Sequence, residues 1–403
     1  MLIFSKSIFT GLTPDEIVSF RGVFLIIGVF SLIALPSTIF NSILSAHEKF
    51  FFIKTINLLT RILYIGVVLT VLFLGGGLLG LVLSHVLTEI LCILIKYLYV
   101  KTKLKTRILL TRRISKDEKK IILGFSIWAC VQALCNRISF NLAPSILGIT
   151  TDSKQIAIFG VVATFESYIS MIASVMSGFF LPRINRIKNS ENPQKEIEEL
   201  SHKVGKIQGA IVLLVLIGFA SCGKEFITLW IHSTTSYSDV YIGTLVVALP
   251  NLIFCPQLVL YTAMFTDKKS MKHLAISALI KAAIFSALIF PLSTEYGAIG
   301  ATFTILIAKA VEITLQNIFY KLDLKINLKR FYLKTFGSLL IPSIVSLGLG
   351  LIIHFSADSN LLKMIKTVTL VTFIFVTFSI MFLSKQEKQT YKAFINNFLN
   401  RRK

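Results

Sequence analysis

Seven ionisable side chains stand inside long apolar stretches: Arg61, Glu89, Arg137, Glu166, Lys281, Lys309 and Glu312, with His85 one helical turn from Glu89. A charge placed in hydrocarbon costs about 3 kcal/mol or more, so each calls for a partner or a task. Two chemistries are open to them. Arg and Lys can replace water around an anion, Arg with paired contacts to a phosphate. The carboxylates and His85 can bind a cation or carry a proton. Their depths match in pairs across adjacent apolar segments: Arg61 with Glu89, Arg137 with Glu166, and Lys281 with Glu312. Ion pairs within a hairpin would neutralise them with no function at all, and such a pair is better evidence for a specified arrangement than for stability. For Arg61–Glu89 and Lys281–Glu312 the sequence favours this structural reading. Arg137–Glu166, with Asn136 as a polar neighbour, is expected to serve function, and Lys309 is left without an assigned partner.

The elements that position these residues are membrane helices. The chain of 403 residues is 54% hydrophobic and 15% charged, with a mean hydropathy of +0.77; a soluble protein carries about 25% charged residues. Apolar runs recur at the length needed for about 30 Å of hydrocarbon, and the short alternating segments of a β-barrel are missing. The fold class is therefore an all-α polytopic membrane protein. Eleven spans are expected, at 22–44, 53–75, 77–99, 120–147, 156–180, 205–222 (the weakest), 239–264, 271–292, 297–320, 332–354 and 361–384. Gly75 to Gly77 and Ser293 to Gly297 read as tight turns. Pro36, Pro250 and Pro256 fall inside spans, where ordinary kinks are the favoured reading.

The net charge of +22 could point to nucleic acid. Its distribution points to membrane topology instead. Of the 42 Lys and Arg, thirty-two fall in alternate connections and the C-terminal tail, six in the connections of the other side, and four inside spans. The positive-inside rule then makes the basic side and the C-terminus cytoplasmic and residue 1 extracytoplasmic. The outer connections are short and hold no catalytic domain. The cytoplasmic loops 100–119 and 181–204 are expected at the anionic leaflet, the second carrying a short surface helix. Cys92, Cys130, Cys135, Cys222 and Cys255 have no CxxC spacing and read as packing residues. The six His form no ligand cluster; no metal and no cofactor are expected.

Sliding the sequence by 220 residues aligns Pro36 with Pro256, Lys49 with Lys269, Arg61 with Lys281, Gly77 and Gly80 with Gly297 and Gly300, and Lys101 with Lys321. Both copies run the same way through the membrane, as in transporters built from two parallel halves with a substrate path between them. The second copy is preceded by three spans, the first by none. Symmetry thus expects a parent of six, six and two spans, about 500 residues long, with three helices ahead of residue 1 and Met1 an internal methionine or the start of a truncated frame. "MLIFSKSIFTGLTPDEIVSFR" becomes the outer loop before the fourth helix of that parent, with Pro14 suited to a helix start.

"GLTPDEIVSF" before a span, "LSAHEKF" at 44–50, the "GGGLLG" turn, "FITLWI" at 226–231 and "EYGAIGATF" at 295–303, in this order, resemble the polysaccharide flippase family. These are the Wzx-type transporters of lipid-linked oligosaccharides, in the superfamily of the lipid II flippases and the multidrug exporters. The resemblance implies a two-lobe transporter fold with two extra C-terminal helices. Residues 1–21 would be an extracytoplasmic loop, 22–100 an incomplete N-terminal lobe, 101–119 a basic cytoplasmic loop, 120–320 the C-terminal lobe, 321–331 a cytoplasmic loop, 332–384 the extra pair and 385–403 a basic tail.

The implied function is translocation of undecaprenyl-diphosphate-linked oligosaccharide repeat units across the bacterial cytoplasmic membrane by alternating access, for O-antigen, capsule or exopolysaccharide. Its implied partners are that lipid-linked oligosaccharide, membrane lipids and polysaccharide polymerase or assembly proteins, with no nucleic acid. Cavity contacts would be Arg137, Glu166, Lys309, Asn136, Arg61 and Lys281; ion or proton coupling would fall to Glu89, Glu166, Glu312 and His85. The three carboxylates against four cations in the spans favour an anionic substrate. A cation-coupled multidrug exporter and an inactive truncated copy stay open. A membrane enzyme would want catalytic loops or a clustered His/Asp/Glu constellation, and the sequence shows neither.

Overall fold

A computed structural model gives the architecture and describes residues 14–106, 115–231, 237–354 and 359–381. The expected outer stretch 1–13, the middle of the basic loop at 107–114 and the tail 382–403 lie outside the described residues. The chain divides into two compact units, Met1–Arg113 and Ile114–Lys403.

Unit 1 contains α1 (Pro14–Ala46), α2 (Phe50–Phe73) and α3 (Gly77–Thr102). The helices are apolar nearly all round, and no residue of α2 is buried. A helix that shows Leu and Ile on every face belongs in hydrocarbon, where lipid replaces the core. The α2–α3 turn works because Gly75 and Gly77 take φ of 74° and 54°, which side chains with a Cβ rarely adopt. Lys96 of α3 is buried, and its ammonium donates to Asn57 Oδ1 of α2 at 2.8 Å.

Unit 2 begins with α4 (Lys116–Thr150), α5 (Ser153–Ile187) and α6 (Pro193–Trp230). The expected surface helix in 181–204 is the first part of α6 and runs on into the span without interruption. One apolar stretch then breaks into α7 (Tyr237–Ala248), α8 (Asn251–Phe254), a 3₁₀ turn (Cys255–Gln257) and α9 (Leu258–Phe265). Pro250 and Pro256 lack the N–H that would carry the helix through. Next come α10 (Lys268–Asp323), α11 (Leu328–Phe336), α12 (Leu340–His354) and α13 (Asn360–Met381).

The 56-residue α10 is two arms, not one straight helix. Lys281 and Glu312 are thirty-one residues apart, about 46 Å along a straight helix at 1.5 Å per residue. Their side chains are 2.8 Å apart. The chain reverses at Gly297 (φ 57°, ψ −135°), where the amide of Ala298 donates to Gln155 Oε1 of α5 at 2.8 Å. Each half then packs against neighbours, above all α4. Among the described residues, the two largest apolar clusters of unit 2 lie around Phe159, Phe285 and Ile305 and around Met271, Tyr320 and Phe331.

Among the described residues, seven helices are long and apolar enough to cross a membrane, or eight with the bent α11–α12 pair. The sequence expects eleven. The difference arises because α10 counts once although it holds two expected spans, and because α4 and α5, which carry Arg137 and Glu166, are not among the seven.

Candidate functional site: a charged cavity in the second unit

Five of the expected site residues meet in one cavity of about 260 Å³ inside unit 2. Asn136 comes from α4, Glu166 from α5, and Lys281, Lys309 and Glu312 from the two arms of α10; Ser170, Phe254 and Tyr261 complete the polar and aromatic wall. The reversal at Gly297 is what brings the arms of α10 together. The break at Cys255–Gln257 separates Phe254 from Tyr261 and lets both face the same space.

Glu312 organises the charges. Its Oε1 takes the Lys281 ammonium at 2.8 Å, and its Oε2 lies 3.7 Å from the Lys309 ammonium. The expected Lys281–Glu312 pair is therefore present. The expectation that Lys309 lacks a partner is corrected: Lys309 and Glu312 are i and i+3 on one helix face, the spacing at which side chains meet. The Lys309 ammonium also stands 4.6 Å from the centre of the Phe254 ring, in cation–π geometry. Lys281 donates a further hydrogen bond to Asn136 Oδ1. Its side chain is only 3% exposed, whereas that of Lys309 is 18% exposed. Lys281 is thus fixed on two sides, and Lys309 has freedom to turn. Glu166 is buried and accepts from Ser170 Oγ at 2.7 Å.

The expected Arg137–Glu166 pair is not formed. Arg137 is exposed and outside the cavity, while its neighbour Asn136 lines it. Successive helix residues point about 100° apart, so both cannot face one space. In unit 1, Arg61 and Glu89 are exposed and make no ion pair with each other. Arg61 lies over the Tyr64 ring at 5.6 Å, and His85 meets Tyr64 and Phe30 edge-on. Ser170, Phe254 and Tyr261 escaped a sequence search aimed at ionisable groups. Tyr261 carries a hydrogen bond from Gln132 on α4, and only its place four residues beyond a proline-marked break hinted at exposure to a cavity. Among the described residues no group of His, Cys, Asp and Glu could hold a metal ion.

The family model described as "Polysaccharide biosynthesis protein" matches residues 15–237, more than half of the chain. The chain belongs to the polysaccharide biosynthesis protein family. No curated protein matches this family member in sequence. Its fold is similar to that of a solved structure, the lipid II flippase MurJ in an inward closed conformation, with a TM-score of 0.65. The identity is 14%, and the alignment covers 94% of this chain and 79% of that one. The family member is therefore a polytopic helical protein with a MurJ-like fold.

Proposed function

We propose that the chain moves polyprenyl-diphosphate-linked oligosaccharide repeat units across the bacterial cytoplasmic membrane by alternating access, in the making of O-antigen, capsule or exopolysaccharide. The observation that carries this reading is the cavity, in which one carboxylate, Glu312, serves two ammonium groups. A diphosphate needs cations to replace its hydration shell inside hydrocarbon, and an ammonium held by a long ion-pair contact and a ring face can supply one. Lys309 is that cation. Lys281, tied to Asn136 and Glu312, positions the carboxylate. Glu166 and Glu312 would couple transport to an ion or proton. In this reading Arg61, Arg137, Glu89 and His85 remain candidates on exposed faces. The lobe division at 22–100 and 120–320, supported by the internal repeat, and a cytoplasmic C-terminus, supported by the charge asymmetry of the loops, belong to the same proposal.

The test uses a strain deleted for this protein. Lipid-linked repeat units should accumulate on the inner leaflet and clear on re-expression. Lys309→Met should lower translocation about 10- to 100-fold, the worth of one charge-assisted hydrogen bond, and Lys309→Arg should retain most of it. If Lys309→Met rescues as well as the parent, the site assignment is wrong. If the deletion leaves surface glycan intact and raises drug sensitivity, a multidrug exporter replaces this reading.

A further inference from the structure

We infer that the outward face of α11 is a docking surface for anionic phospholipid headgroups. The helix has two unlike faces. Phe331 and Thr335 point inward and are fully buried. Tyr332 bonds to Asn317 Oδ1 of α10 at 3.1 Å and receives a hydrogen bond from Gln257. The seat is close: a Cβ added at Gly205 of α6 would come within 3.3 Å of the Phe331 ring. The helix start is fixed by Asn327, whose Oδ1 accepts from the Arg330 amide at 3.1 Å.

Outward, Lys329, Arg330 and Lys334 are exposed, with Leu333 among them at 64% exposure. No residue of Leu328–Phe336 is acidic, and the contact of Arg330 with Glu198 is only 3.9 Å. Exposed Lys325 adds a further cation just before the helix. The following helix, α12, departs at 46°. At a bilayer interface the leucine enters the acyl boundary while the cations meet phosphodiesters. The charge selects anionic over zwitterionic lipid. Leu333 selects a lipid over free phosphate. The same helix carries Tyr332, bonded to Gln257 in the break between the cavity residues Phe254 and Tyr261. The docking surface is therefore anchored to the break that separates two residues of the cavity wall.

The full chain in nanodiscs of phosphatidylcholine, titrated with phosphatidylglycerol and read by native mass spectrometry, tests the inference. The triple variant Lys329→Gln, Arg330→Gln, Lys334→Gln should bind phosphatidylglycerol on the order of 100-fold more weakly, and each single neutralisation about fivefold. Exchanging the three cations for one another (K329R, R330K, K334R) should retain binding, and neutralising Lys154, Lys224 and Lys363, which belong to the connections of the opposite side, should change it less than twofold. Leu333→Gln should weaken lipid binding severalfold. The inference is overturned if the control triple loses as much as the α11 triple, if added phosphatidylethanolamine binds as well as phosphatidylglycerol, or if inorganic phosphate at equal concentration displaces the lipid.

Discussion

Lys281→Met should destabilise unit 2, and removing Glu312 as well should restore most of the loss. Lys281 and Glu312 are 2% and 4% exposed, with charged atoms 2.8 Å apart. Deleting one member of a buried pair typically costs 3–5 kcal/mol, because the other charge stays buried without its partner. Here Lys309 remains 3.7 Å from the second carboxylate oxygen and takes up part of that charge. The expected cost is therefore at the low end, about 3 kcal/mol. At about 2 °C per kcal/mol for a unit of this length, Tm falls by roughly 6 °C. Replacing both members with apolar groups of similar volume is often nearly neutral, so Lys281→Met with Glu312→Leu should be non-additive by about 3 kcal/mol. Both tryptophans, Trp128 and Trp230, lie in unit 2. Intrinsic fluorescence on heating in nanodiscs therefore reports the right unit. A shift below about 1 °C for Lys281→Met, or additivity in the double variant, would refute the reasoning.

Gly297→Ala should cost about 1–3 kcal/mol in backbone strain alone, and more from the clash of its Cβ with Gln155 Oε1 at 2.5 Å; a variant with the parent's folded yield and Tm would contradict the reversal described. Asn57→Leu should cost unit 1 about 1–3 kcal/mol by leaving the Lys96 ammonium without its acceptor, and Lys96→Met added to it should recover protease resistance; failure to recover would deny that the pair is the cause. Asp267 caps α10, accepting from the amide and hydroxyl of Ser270 at 2.9 and 2.8 Å. Burial alone would raise its carboxyl, but the Ser270 bonds, the Lys188 ammonium and the Lys269 amide together hold it below the usual carboxylate range. A lowered folded pKa gives stability that is present above the unfolded value and lost as pH falls through the folded one, so the roughly 1 kcal/mol penalty of Asp267→Ala at neutral pH should fade below about pH 4 in a pH-dependent melting series.

What the sequence could reveal followed from depth, and what it concealed followed from azimuth. A hairpin ties distance along the chain to depth in the membrane. Lys281 and Glu312, at matching depths on adjacent arms, were therefore legible as a pair, as was the reversal at Gly297 between them. Arg137 and Glu166 also match in depth, yet Asn136 takes the inward direction that the pairing required of Arg137. Azimuth was partly available for Lys309, whose three-residue offset from Glu312 is itself a contact spacing. Lys96 could not be placed from its own segment, because its burial depends on Asn57 of another helix. The break through Cys255–Gln257 was visible only as prolines, which are ordinary in membrane helices. What it exposes depends on how α8 and α9 pack.

The internal repeat separates backbone from electrostatics. Gly77 and Gly297 fall in register and take almost the same φ, 54° and 57°. A tight turn between two membrane helices has few solutions, and both copies use the glycine that this one demands. Arg61 and Lys281 fall in the same register and have opposite fates. Arg61 is exposed over the Tyr64 ring, while Lys281 is buried between Asn136 and Glu312. The difference lies in what packs against each copy. Within unit 2, α4 supplies Asn136 and α5 supplies Glu166 to the arms of α10, and a buried ammonium is tolerated only where such partners exist. Glu312 cannot satisfy Lys281 and Lys309 equally, and the geometry shows which it favours: 2.8 Å against 3.7 Å. A cation with the longer contact, the greater exposure and only a ring face as its other neighbour is the one an incoming anion can recruit without leaving a buried carboxylate bare.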